Sequence, residues 1–115
     1  MNAYEVVREA IAHERQVIAE YRSLRRHLCP HAIGTKGGRQ QALFYQFAGF
    51  SEHGLGPDRS DRNWRCLTLD ELNIIEVRDG KWHTGSGHLR TNTCLDETDV
   101  SWWELKQSRG QKSSI

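Results

Sequence analysis

The stretch that decides the fold runs from Tyr21 to Leu69. It holds Tyr21, then Arg26-His27-Leu28-Cys29-Pro30-His31-Ala32-Ile33-Gly34, then Tyr45-Gln46-Phe47-Ala48-Gly49-Phe50-Ser51, then Trp64-Arg65-Cys66-Leu67-Thr68-Leu69. These blocks alternate with period two, the repeat of a strand whose successive side chains face opposite ways. Glycine-rich turns separate them. Arginine, histidine, glutamine and serine recur inside segments that otherwise read as strands. Such groups are costly to bury without partners. The pattern therefore predicts a small β-barrel with a polar pocket on one face.

Upstream of this stretch, Ala3, Val6, Val7, Ala10 and Ile11 form one helical stripe. Asn2 with Glu5 fits a capping box, which predicts a helix over about residues 3–13 laid on a sheet. Gln16 to Tyr21 reads as a strand with Val17, Ala19 and Tyr21 on one face. Ser23-Leu24 is a tight connection, and residues 25–33 form a second strand. Pro30 inside it requires an edge or a bulge, because proline donates no ladder hydrogen bond. Gly34 and Gly37-Gly38 mark a loop before the most apolar strand, 42–50.

Residues 51–63 are a long polar loop, of the kind that is functional or flexible in a small domain. Strands at 64–69 and 73–77 come next, with a helical turn at Asp70-Glu71-Leu72 between them and a turn at Asp79-Gly80. Gly85 to Leu89 is loop-like. Val100 to Leu105, with Trp102-Trp103, reads as a final strand or a short helix. Residues 107–115 are polar and expected to be disordered. The expected fold is thus mostly β with an N-terminal helix: one domain over residues 1–106, a five-stranded barrel of SH3-like or Sm-like type. Closure would remove the exposed edges of such short strands.

At 115 residues the chain is one domain with a modest core. Lys and Arg total 16 against 15 acids, a net charge of +1, so any anion binding must come from a local patch. No apolar run approaches the ~20 residues of a membrane-spanning helix, and no membrane partner is expected. Met1 to Glu5 lack the basic and apolar regions of a signal peptide. Cys29, Cys66 and Cys94 are odd in number and widely spaced, so reduced thiols in a cytoplasmic protein are the simplest expectation.

Arg26 and Arg65 lead the candidate site residues. Each sits in a predicted strand, and a guanidinium there requires an anion partner or solvent. An exposed position or an ion pair with Glu20, Glu71 or Glu76 is the structural alternative. With His31 and Gln46 they would bring several strands to one polar patch. His27, Cys29 and His31 alternate as zinc ligands would on one strand face, but there is no second ligand pair at a tight spacing, so no metal and no cofactor are expected. No nucleophile motif or phosphate-cradling glycine loop occurs, so no catalytic residue is assigned. Most aromatic residues should be core. Tyr21, Tyr45 and Trp64 are the candidates for stacking on a base.

Three motifs carry a family resemblance. They are Arg-x-Leu-x-Pro-His-x-x-Gly (Arg26, Leu28, Pro30, His31, Gly34), Leu-x-Tyr-Gln-x-x-Gly-x-Ser (Leu43, Tyr45, Gln46, Gly49, Ser51) and Trp-Arg-x-Leu-x-Leu (Trp64, Arg65, Leu67, Leu69). Over roughly residues 5–78 the chain resembles small stand-alone WYL-domain proteins of bacteria and their mobile elements. Leu43-Phe44-Tyr45 stands near the position of the family's name-giving Trp-Tyr-Leu. The resemblance implies an Sm-like or SH3-like barrel that senses nucleotides or single-stranded nucleic acid, often in transcription control or phage defence.

The expected function is a non-enzymatic, regulatory ligand-binding barrel. It would recognise a nucleotide, a cyclic oligonucleotide or a short single strand through Arg26, His31, Gln46, Arg65 and Ser51, with Tyr21, Tyr45 and Trp64 as walls. The alternative is a protein-interaction adaptor or dimerisation module that uses a barrel edge and Trp102-Trp103. Its partner would be a protein encoded nearby or a second copy. A third reading is a small nuclease or toxin with His31 as acid or base.

Overall fold

The computed structural model of the chain describes residues 1–52, 54–85 and 93–113, the last five by backbone alone. The apolar stripe of the N-terminus forms helix α1 (Ala3–Ala12). Its start is fixed by Asn2, whose Oδ1 accepts the Glu5 N–H at 2.9 Å. Val7, Ala10 and Ile11 face inward and are fully buried.

Among the described residues six strands form the sheet: β1 (Gln16–Tyr21), β2 (Leu24–Lys36), β3 (Arg39–Gly49), β4 (Trp64–Thr68), β5 (Leu72–Arg78) and β6 (Glu97–Ser101). All pairings are antiparallel and the main path runs β4-β3-β2-β1-β5. The sixth strand, which begins earlier than the apolar segment expected from Val100 onward, pairs with β2. Helix α2 (Trp102–Ser113) continues directly from β6, so residues 107–113, expected to be disordered, are helical. The loop expected from Gly85 to Leu89 lies, beyond Gly85, outside the described residues.

Pro30 organises β2. Residues Leu24–Leu28 pair with β1, Ala32–Thr35 pair with β6, and Pro30 lies at the changeover, where a missing N–H breaks no ladder. On the β3 side the register shifts between Pro30 and Ala32, leaving His31 as the extra residue of a bulge. Of the two solutions that Pro30 left open, an edge or a bulge, the strand takes the bulge. It removes His31 from the alternation expected for His27, Cys29 and His31.

The expected closed barrel is not what the ladders form. Among the described residues no ladder joins β4 to β5, and the 3-10 turn Leu69–Glu71 links them instead. The sheet nevertheless curls. In a flat sheet β1 and β4 would lie about 14 Å apart, three strand spacings. Here the Tyr21 and Thr68 hydroxyls are 3.2 Å apart and the Thr68 N–H donates to Tyr21 Oη at 3.4 Å. Thr68 Oγ1 and Tyr21 Oη both donate to the Glu71 carboxylate, at 2.7 and 3.2 Å. Side chains pin a corner that backbone pairing leaves open.

Both faces of the sheet are covered. One carries α1, Val17, Ala19, Leu28, Ile33, Phe44, Leu67, Leu72 and Trp102; the other carries Cys29, Ala32, Leu43, Tyr45, Trp64, Cys94 and Leu95. Strand β3 serves both by alternation, Phe44 to the first and Leu43 and Tyr45 to the second.

The expectation of reduced thiols is corrected here. Cys66 and Cys94 form a disulfide across 28 residues, with Cα atoms 5.6 Å apart, and Cys29 alone is free. The lead-in to β6 returns past β4, a proximity that spacing along the chain does not reveal. No described helix is long and apolar enough to cross a membrane.

Candidate anion-binding cleft

At the end of the sheet, past Phe44, the first face turns from apolar to polar. Tyr21, Arg22, Arg26, Ser51, Glu52, Trp64, Arg65, Cys66 and Leu67 line a cleft of about 320 Å³ there. That volume is at the small end of the range for small-molecule sites. The curl makes the cleft, because it brings the end of β1 to the wall formed by β4.

Arg26 is its most unusual residue. It is 4% exposed. Among the described residues it has no carboxylate partner, and its one hydrogen bond is a long 3.5 Å contact from Nη1 to Gln46 Oε1. Its Nε is buried with no hydrogen-bond partner among the described residues. The guanidinium lies 5.3 Å from the centroid of the Tyr21 ring, a cation–π contact that holds it without neutralising it. Burial lowers its pKa; Glu52 opposes that shift and Arg22 adds to it.

Arg65 is held differently. Its Nη1 donates to the carbonyls of Arg62 (2.6 Å) and Trp64 (3.0 Å). Its Nη2 donates to Ser51 Oγ (3.1 Å) and the Gly54 carbonyl (3.0 Å). All these acceptors are neutral, so the charge stays uncompensated while the side chain fastens the loop after β3. Burial and then the nearby Arg26 lower its pKa. Arg22 also faces the cleft, but it has a carboxylate, Glu71, at 3.5 Å.

Five of the eight predicted residues therefore meet in one cleft: Tyr21, Arg26, Ser51, Trp64 and Arg65. The other three lie elsewhere. Gln46 is fully buried beneath, where Nε2 donates to the carbonyls of Ala48 (3.1 Å) and Phe50 (3.0 Å) and Oε1 faces Arg26. It positions the arginine. Tyr45 is fully buried; its hydroxyl donates to the Ser60 carbonyl at 2.9 Å and accepts from Asn63 Nδ2 at 3.3 Å, so it anchors the long loop.

His31 is also excluded. The bulge places it among four indoles, stacked on Trp82 at 4.8 Å and against Trp64, Trp102 and Trp103 at 4.8, 5.2 and 5.3 Å. Its Nδ1 donates to the Cys29 carbonyl at 2.8 Å, which leaves Nε2 unprotonated, and that atom is buried with no partner among the described residues. Burial pushes its pKa down to about 4. His31 is a neutral core residue.

Tyr21 and Trp64, expected as stacking walls, line the cleft with their rings largely packed. They are 4% and 6% exposed, so neither offers an open ring face. Trp64 packs edge-on against Tyr45 and His31, and its Nε1 donates to Asp61. Sequence reasoning missed Arg22 and Glu52, which flank Tyr21 and Ser51 in the chain. Adjacency to two predicted site residues was the only signal they carried. Among the described residues no group of three His, Cys, Asp or Glu is arranged to hold a metal ion. Comparison with protein-family models, curated proteins and solved structures finds no match for this chain.

Proposed function

We propose that this chain is a ligand-binding domain whose arginine cleft takes a phosphate-bearing ligand, a nucleotide or a short single strand. The observation that carries the reading is Arg26. A buried guanidinium without a carboxylate is unfavourable by itself, and its planar fork matches phosphate oxygens. Arg65 adds a second uncompensated charge on the same cleft, and Ser51 adds a hydroxyl. Because Tyr21 and Trp64 are packed, charge rather than stacking would supply most of the affinity.

This reading fits the resemblance to WYL-domain proteins. A curled antiparallel sheet with a polar cleft at one end is consistent with an SH3-like or Sm-like barrel of that family, and a regulatory role in transcription control or phage defence is the corresponding expectation. A cytoplasmic location is compatible with the disulfide only if that bond is intermittent, since stable disulfides belong to oxidising compartments.

The alternatives find less support. The adaptor reading relies on Trp102-Trp103, yet Trp102 is 7% exposed and both rings pack on His31. The nuclease reading relies on His31, which does not reach the cleft.

The test is Arg26→Met, which keeps the length of the stem and removes the charge. Affinity for a panel of inorganic phosphate, nucleoside monophosphates and short oligonucleotides should fall roughly ten- to a hundredfold, the value of one shielded arginine–phosphate contact. Thermal stability should hold or rise, because a buried unpaired charge disappears. A loss of stability would mark Arg26 as a structural residue. Absence of binding by wild type to the whole panel would end the nucleotide reading.

A further inference from the structure

We infer that the redox state of the Cys66–Cys94 disulfide sets the affinity of the arginine cleft, an inference that rests on the anion-binding reading above. Cys66 lies on β4 between Arg65 and Leu67, and all three line the cleft. Strand β4 is five residues long and ends the sheet path, so among the described residues β3 is its only ladder partner. The bond to Cys94 ties the middle of the strand covalently to the lead-in of β6.

The two ends of the bond differ. Cys94 is 3% exposed and packs with Leu95 in the core cluster that contains Trp64. It is held without the sulfur: Gln41 Nε2 donates to its carbonyl at 2.9 Å, and nearby Asp96 donates its N–H to Thr35 at 3.0 Å and accepts from the Gly37 N–H at 2.9 Å. Cys66 is exposed. Solvent thiols thus meet the bond at its Cys66 end, on the face of β4 opposite to Arg65 and Leu67. Cys29, the third cysteine, is buried, and burial pushes its thiol up to about 12, which keeps it out of exchange.

The chemistry needs only a dithiol reductant. One thiolate of the reductant attacks Cys66 Sγ, and the Cys94 thiolate leaves and takes a proton. The second thiol of the reductant then attacks the mixed disulfide, releasing the Cys66 thiol and a cyclic disulfide. Two electrons and two protons pass to the protein. Afterwards Cys94 keeps its place, whereas the middle of β4 loses its covalent link and is left with the β3 ladder and the Thr68 contacts to Tyr21 and Glu71 at its end. Arg65 sits on β4 and Arg26 on β2, so the bond constrains the spacing of the two charges that face one anion. Reduction therefore weakens anion binding. By linkage, a bound anion makes the disulfide harder to reduce by the same factor.

The experiment measures binding of a fluorescein-labelled short oligothymidylate, with inorganic phosphate as competitor, to oxidised wild type, to dithiothreitol-reduced wild type and to Cys66→Ser/Cys94→Ser. Circular dichroism monitors the fold. The reduced protein and the double variant should stay folded and bind roughly five- to tenfold more weakly. Reoxidation should restore the wild type only. In a dithiothreitol redox buffer, saturating phosphate should lower the ratio of reduced, alkylatable to oxidised protein by the factor by which reduction weakens phosphate binding. Equal affinity in both redox states overturns the inference and leaves the cleft reading standing. Unfolding on reduction also overturns it, because the bond is then a structural staple. Failure of the oxidised protein to bind either probe removes the cleft reading and this inference together.

Discussion

Single residues here have roles that their type alone does not announce. Arg26 and Arg65 look equivalent in the sequence, yet one is an unpaired buried charge and the other fastens a loop. Their substitutions should separate. Where loss of the Arg26 charge should spare or raise stability, Arg65→Ala should lower both properties: it removes four side-chain hydrogen bonds to the segment from Ser51 to Trp64. A loss of about 1–3 kcal/mol in chemical denaturation is expected for it, together with weaker binding. An Arg65→Ala protein of unchanged stability would show that the loop holds itself.

His31 gives a pH dependence. Its folded pKa of about 4 lies below the unfolded value of 6.5. Between these values the unfolded chain binds the proton that the folded chain refuses, so stability falls as pH falls through that window and is complete above it. The loss by pH 4 should reach about 3 kcal/mol. Carboxylates titrate in the same range, so the check is the difference between wild type and His31→Phe in denaturation series at neutral and acidic pH. Parallel curves for the two proteins would contradict the assignment.

At the level of elements, the α1 stripe and the glycines at strand ends explain the assembly. Val7 is fully buried against the sheet. Val7→Asp should destabilise the protein by roughly 2–4 kcal/mol, read as a lower melting temperature; an unchanged one would mean that α1 does not pack. Gly49 ends β3 with a φ of +88°, and a Cβ there would overlap the Arg25 carbonyl oxygen. Gly49→Ala should therefore strain the backbone beside Arg26 and weaken both fold and binding, by about 1–3 kcal/mol in stability. Wild-type stability in that variant would show that the strand end yields freely. The order of elements was largely legible from period-two and helical patterning, and Pro30 announced an edge or a bulge without deciding between them. Strand β6 was not, since Glu97, Thr98 and Asp99 are polar and give no alternation signal.

For the whole molecule, the decisive features are curl and cross-linking. The disulfide closes a loop of 28 residues, and removing it in Cys66→Ser/Cys94→Ser should cost about 2–4 kcal/mol. That is less than the usual stability of a domain, so the variant should remain folded at room temperature and melt earlier. Covering both sheet faces with cores that share β2 and β3 should make this melting a single transition. Two separate transitions would mean that the second core, beneath Trp64 and Cys94, unfolds independently.

Local pattern determined much of this protein. Side-chain alternation, a helical stripe and turn residues have short-range causes, so the helix, the strands up to Arg78 and the pairing of polar residues with strand positions could be read directly. Arg26, Ser51, Trp64, Arg65 and Tyr21 were picked out because polar or amphipathic groups interrupt otherwise apolar strands. Tertiary structure alone decided the rest. Whether a strand residue faces cleft or core depends on bulges and curl, which set His31 among indoles and Gln46 beneath Arg26. Whether two cysteines meet depends on where a distant segment returns, which joined Cys66 to Cys94. Whether a guanidinium finds a carboxylate depends on neighbours from other strands: Arg22 has Glu71, while among the described residues Arg26 is buried without one. These are long-range contacts, and composition and periodicity carry no record of them.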